Sequence, residues 1–145
     1  MPYLLDTDIL SALRRKQRDQ NLEKWLHSIN SLDIHLSVVT IGEVERGIIQ
    51  QRRNNPKFAD DLQRWLDTIL QRYEQRILPL SVSIARRWGQ LSGELGHNSA
   101  DLMIAATALE HNLTVATRNT RHFEPTQVSL INPYLYLSRQ SAPIC

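Results

Sequence analysis

Apolar residues along this chain switch repeatedly between strand-like and helix-like spacing. A short run, Tyr3-Leu4-Leu5, ends on Asp6 and predicts a buried strand over Tyr3 to Asp6. Thr7 or Asp8 can cap a helix carrying Ile9, Leu10 and Leu13, which finishes in the basic cluster Arg14, Arg15, Lys16 and Arg18. Leu22, Trp25, Leu26 and Ile29 share one helical face, and Asn30 to Asp33 predicts a turn. Ile34 to Val39 is β-branched and partly alternating, so a second strand is expected there. Thr40 is then placed to cap a helix, with Glu43 at the capping-box spacing. That helix carries Val44, Ile48 and Ile49 and frays into Arg52-Arg53-Asn54-Asn55-Pro56. Leu62, Trp65, Leu66, Ile69, Leu70 and Tyr73 form the cleanest helical stripe, and the two helices predict an antiparallel arm.

The second half repeats the alternation. Ile77 to Leu80 predicts a strand, and Ser81 starts a helix through Val82, Ala85, Trp88 and Leu91 that Gly93, Gly96 and Asn98 break. Ser99 to His111 predicts the next helix, with Asn112 as its C-cap. Thr114 to Thr117 reads as a strand, Arg118 to Phe123 as a polar loop or short helix, and Val128 to Ile131 as a last strand closed by Asn132-Pro133. Connections too long for hairpins imply parallel pairing. The expected fold is α/β: a three-layer α/β/α sandwich with a short, mainly parallel sheet of four or five strands. A domain over residues 1–133 and a loosely held tail over 134–145 are expected.

The chain has 145 residues, enough for one domain with a substantial core. A net charge of +2 neither announces nor excludes a nucleic-acid binder. Its one cysteine, Cys145, rules out an internal disulfide and a cysteine-rich zinc site. Asp6 and Asp8 interrupt any signal-peptide pattern early, and no apolar run approaches the roughly 18 residues that span a bilayer. The expectation is a cytoplasmic protein with no membrane partner.

Three acids occupy comparable settings. Asp6 ends a strand, Glu43 follows one, and Asp101 opens the apolar helix Leu102 to Leu109. Each has a local explanation, as a cap or a complement to a helix dipole. Local explanations do not account for all three falling along one predicted sheet edge, where ligands bind in parallel α/β folds. Acids gathered there repel one another unless a divalent cation neutralises them. Mg²⁺, or Mn²⁺, suits such an oxygen-rich set. Asp6 and Asp101 are assigned as the main ligands. Glu43 is assigned as a further ligand, direct or through water, or as a base that orients water. Thr7 and Thr117 are candidates to hydrogen-bond these carboxylates, whereas Asp8 reads as a capping residue. Arg46, one turn from Glu43, and Arg118, beside Asn119, are the best candidates to hold phosphate.

Taken in order, Leu5-Asp6-Thr7-Asp8, Ser37-Val38-Val39-Thr40-Ile41-Gly42-Glu43, Ala100-Asp101-Leu102-Met103-Ile104-Ala105-Ala106 and Ala116-Thr117-Arg118-Asn119 resemble a PIN domain. The likeness is to VapC-like toxins of type II toxin–antitoxin systems and runs from Leu4 to about Pro133. The resemblance maps the family's principal acids onto Asp6, Glu43 and Asp101. Its fourth position falls on Asn119, a neutral residue where an acid is usual. It implies a metal-dependent endoribonuclease, a homodimer, a cognate antitoxin that blocks the acidic pocket, and promoter DNA bound only through that antitoxin. The arm helices, Gly47 to Tyr73, are expected to expose a groove for an amphipathic partner helix.

Two alternatives stand beside this one. Asp6-Thr7-Asp8 also resembles the paired-aspartate start of haloacid-dehalogenase phosphatases, although no convincing downstream lysine and paired acids follow. Asn119 leaves open a catalytically weak dimeric module that acts with an antitoxin as a promoter corepressor.

Overall fold

The computed structural model describes residues 2–137. Five short strands form one sheet: β1 (Tyr3–Leu5), β2 (Ile34–Ser37), β3 (Ile77–Leu78), β4 (Thr114–Ala116) and β5 (Leu130–Ile131). Their order is β3-β2-β1-β4-β5 and every pairing is parallel. Seven α-helices are present among the described residues: α1 (Thr7–Leu13), α2 (Gln20–Ser28), α3 (Val38–Asn54), α4 (Pro56–Arg72), α5 (Val82–Leu95), α6 (Ala100–His111) and α7 (Thr120–Phe123).

The two-residue period of a strand divides the interior into two cores. Leu5, Ile34, Leu36 and Ala116 point to one face and meet Ile9, Leu10, Trp25, Ile48 and Leu66 from α1 to α4. Leu4 and Val115 point to the other and meet Ile84, Leu102, Ile104 and Phe123 from α5 to α7. Both faces are therefore covered, giving the α/β/α sandwich expected from the alternation of elements.

This topology fixes where a ligand can sit. The chain builds outward from β1 through β2 to β3, then returns to the other side of β1 for β4 and β5. The direction of winding thus reverses between β1 and β4. Crevices open at such a reversal, outside the carboxyl ends of the strands. Asp6 is the residue at that end of β1, and its N–H donates to the Ala116 carbonyl of β4 at 2.9 Å.

Two expectations need correction. The second strand stops at Ser37 rather than running to Val39. Ser37 caps α3, its Oγ accepting from the Val39 N–H at 3.0 Å, so Thr40 and Glu43 are not a capping box. Val38 and Val39 look strand-like by composition, but a serine cap overrides that preference in a first helical turn. Glu43 is consequently carried one turn into α3. The stretch after Pro133, expected to be loose, is also held as far as a short 3₁₀ turn at Pro133–Leu135. Pro133 is buried and the Asn21 side chain donates to the Tyr134 carbonyl at 2.8 Å. Residues 138–145 lie outside the described residues.

The arm forms as expected. α3 and α4 are joined through Asn55, whose side chain caps α4 ahead of Pro56 at its first turn. Val44, Gly47, Ile48 and Gln51 of α3 face Phe58, Leu62 and Trp65 of α4 across a groove of about 240 Å³, the reversed order of an antiparallel pair.

Candidate active site

Asp6 is 5% exposed and does two local tasks. One carboxylate oxygen, Oδ1, accepts from the Thr7 N–H at 2.8 Å and caps α1. The other, Oδ2, accepts from Thr117 Oγ1 at 2.8 Å, just past the end of β4. Even so, its pKa is pushed from 3.8 to about 7. Burial is the main cause, followed by the charge of Asp8 and, after the two hydrogen bonds have pulled it partly back, the charge of Asp101.

Asp8 stands in the first turn of α1, close enough to act on Asp6. Its Oδ2 accepts from the Arg118 N–H at 3.1 Å and from Asn119 Nδ2 at 3.4 Å. Its Oδ1 is buried without any hydrogen-bond partner. Burial raises its pKa first, with Asp101 adding to the rise against the pull of its hydrogen bonds. Asp101 opens α6 and is partly exposed, and its Oδ2 lies 3.2 Å from Nδ1 of His122 on α7.

Glu43 reaches this group from the second turn of α3. Its Oε1 accepts from Thr7 Oγ1 at 2.6 Å, and Thr7 Oγ1 lies 3.3 Å from the buried Thr40 hydroxyl. Thr7, covalently next to Asp6, thereby links the glutamate to the aspartates. Asn119 turns its amide N–H toward Asp8, while its backbone N–H donates to Thr117 Oγ1 at 3.0 Å. The Arg118 guanidinium rests 4.6 Å from the centre of the Tyr134 ring, exposed beside the acids. Arg46 is exposed on α3.

Three residues of the site escape a reading by local pattern: Asp8, Thr40 and His122. The available signal for Asp8 was its spacing of two from Asp6 at a strand exit. For His122 it was the three-residue step from Asn119 along one helical turn. Nothing local marks Thr40, whose partner lies on another helix.

The donor chemistry at this sheet edge is that of hard oxygen ligands. Among the described residues, no three His, Cys, Asp or Glu side chains converge into a ready-made cage. A hard ion such as Mg²⁺ does not require one, since it keeps several waters and takes one or two carboxylates alongside substrate phosphate. An aspartate whose pKa is raised by burial and by its acidic neighbours, next to another with an unpartnered oxygen, fits such an ion.

The PIN domain family model matches residues 3–127. The chain belongs to the PIN-domain family. Its relatives include toxin FitB of Neisseria gonorrhoeae, 35% identical over 136 residues that cover 90% of this chain and 97% of that protein. The solved structure of FitAcB from the same organism matches this PIN domain with a TM-score of 0.80 at 34% identity, covering 92% of this chain and 99% of the other. A VapC ribonuclease, Y4jK of Sinorhizobium fredii, is 28% identical over 138 residues, covering 90% of this PIN domain chain and 96% of its own. VapBC2 of Rickettsia felis, solved bound to a DNA fragment from its promoter, matches with a TM-score of 0.68 at 27% identity, covering 91% and 98% of the two chains.

Proposed function

We propose that this chain is a divalent-metal-dependent endoribonuclease and the toxin of a toxin–antitoxin pair. The observation that carries the reading is Asp6, a buried acid at the reversal point of a parallel sheet, whose pKa is pushed up to about 7 by burial and by the charges of Asp8 and Asp101. Relatives named as a toxin and as a VapC ribonuclease, at similar length, support it. The phosphatase alternative falls with membership of the PIN-domain family.

In this reading Asp6, Asp8 and Asp101 would hold Mg²⁺ or Mn²⁺, directly or through the waters that such an ion keeps. A bound ion of this kind would lower the pKa of an attacking water and offset charge growing on the scissile phosphate. The protein supplies position and charge. Thr117 and the Thr7 N–H fix both oxygens of Asp6, leaving little rotameric freedom to freeze when the ion enters. Glu43, steadied by Thr7, orients water or completes the ion's surroundings. Asn119 secures Asp8. Arg46 and Arg118 hold the RNA backbone, which makes binding salt-dependent and indifferent to base identity.

The partner reading follows from the arm. The groove between α1 and α3–α4 is lined by Val44, Ile48, Phe58, Leu62 and Trp65, and Glu43 and Thr7 stand at its edge. An amphipathic antitoxin helix seated there would abut the acids and block them. Promoter DNA would be contacted through that antitoxin, a reading supported by the structure of VapBC2 bound to a DNA fragment from its promoter. Homodimerisation and a cytoplasmic setting belong to the same reading. No helix among the described residues is long and apolar enough to cross a membrane.

The direct test is RNA cleavage by the purified chain. Cleavage is expected in Mg²⁺ or Mn²⁺, to stop with EDTA and to return when the ion is restored. Cleavage that continues unchanged in EDTA would overturn the metal-dependent reading.

A further inference from the structure

One loop serves all three aspartates in turn. Thr117 donates its hydroxyl to Asp6. Arg118 and Asn119 donate N–H groups to Asp8. His122, one helical turn later, faces Asp101. The N–H groups of Arg118 and Asn119 can steady a carboxylate but have no lone pair to offer an ion, and the Thr117 hydroxyl is already engaged, donating to Asp6 and accepting from the Asn119 N–H. His122 differs, because an imidazole nitrogen can offer a lone pair.

Its geometry suits that use. Neighbouring ligands of an octahedral ion with bonds of ~2.1 Å stand about 3 Å apart. Nδ1 of His122 and Oδ2 of Asp101 are 3.2 Å apart. The imidazole is 65% exposed on its side-chain surface and borders a polar cleft of about 240 Å³ shared with Arg118, Asn119, Thr120 and Arg121. The ring can therefore turn to admit an ion without disturbing a packed core.

We infer that His122 is a nitrogen ligand to the divalent ion beside Asp101, and that it biases the site toward Mn²⁺ over Mg²⁺. The bias follows from ligand chemistry: imidazole suits first-row transition ions, whereas Mg²⁺ prefers an all-oxygen shell. This rests on the proposed metal-dependent nuclease site and goes further by assigning a nitrogen donor and an ion preference.

Pulsed electron paramagnetic resonance of Mn²⁺ bound to the full chain separates the outcomes. The parent is expected to show ¹⁴N modulation from a directly bound imidazole, and His122→Ala is expected to lose it while still binding Mn²⁺. Titration should show Mn²⁺ affinity weakened about 10-fold in His122→Ala, the low end for disturbing a metal site, with Mg²⁺ affinity changed less than about twofold. His122→Asp, which puts an oxygen donor in place of the nitrogen, should bind Mn²⁺ without the nitrogen signal and hold Mg²⁺ at least as tightly as the parent. Mn²⁺ bound by the parent with no ¹⁴N modulation, or modulation that persists in His122→Ala, overturns the assignment of His122 alone. A parent that binds no Mn²⁺ overturns both this inference and the metal site on which it rests.

Discussion

Asp6→Asn is expected to reduce RNA cleavage by about 10²–10³-fold, the scale seen when a preorganised electrostatic group is removed from an active centre. The substitution keeps the shape of the side chain. Asparagine can still accept from the Thr7 N–H and meet the Thr117 hydroxyl, so the cap of α1 and the link between β1 and β4 survive. What disappears is a negative charge at the point where the sheet reverses. Asp101→Asn should behave similarly, whereas Glu43→Gln should lose less, because an amide can still accept from Thr7. Single-turnover cleavage of one RNA by all three variants, with circular dichroism to confirm folding, checks the ranking. Parental cleavage by Asp6→Asn would remove that residue from the chemistry.

The same charge makes a second prediction, in stability. A carboxyl whose pKa rises from 3.8 unfolded to about 7 folded binds more protons in the folded state across that interval. Stability is then greatest when the group is protonated and falls as pH climbs from about 4 to about 7, levelling off above. The loss assigned to Asp6 is on the order of 4 kcal/mol, shared with Asp8 because the two charges act on one another. Asp6→Asn removes the ionisation, so it should equal the parent near pH 4 and exceed it in stability near pH 8. A divalent ion at 100 times its dissociation constant should return about 2.7 kcal/mol to the parent. Urea unfolding of both proteins from pH 4.5 to 8, with EDTA and with Mn²⁺, reads the effect. Identical pH profiles for parent and variant would contradict the electrostatic account.

Much of this architecture is legible in the residue pattern, and the reasons differ by element. Leu4 and Leu5 announce a strand buried on both faces, and the long connection to Ile34 requires a parallel partner. Helix α6 ends at Asn112, whose left-handed backbone makes it the C-cap that the pattern predicts, whereas Ser99 stands at the other end without a side-chain cap. The edge strand β3 is shorter than its apolar run, since Pro79 cannot donate to a ladder. Val38 and Val39 mislead because intrinsic preference is weaker than a serine cap followed by burial of Thr40.

The site divides in the same way. Asp6 and Asp101 stand out because they fall at element boundaries along a foreseeable edge. Asp6 also shows that a local role and a shared one can coincide, since one oxygen caps the helix while the other reaches across the sheet. Asp8 reads locally as an ordinary first-turn acid. Its coupling to Asp101 arises only when β1 pairs with β4 and brings α6 and the following loop over the β1 terminus. His122 is hidden for the same reason, its partner lying 21 residues away on another helix.

The central claim is that Asp6, Asp8 and Asp101 create one anionic pocket whose repulsion a divalent ion relieves. Anomalous diffraction from crystals of the full chain grown with Mn²⁺ tests it most directly. A manganese peak within bonding distance of Asp6 and Asp101 in the parent, absent in Asp6→Asn, is the predicted result. Crystals saturated with Mn²⁺ that show no peak at the end of β1, or one that persists in Asp6→Asn, would contradict it.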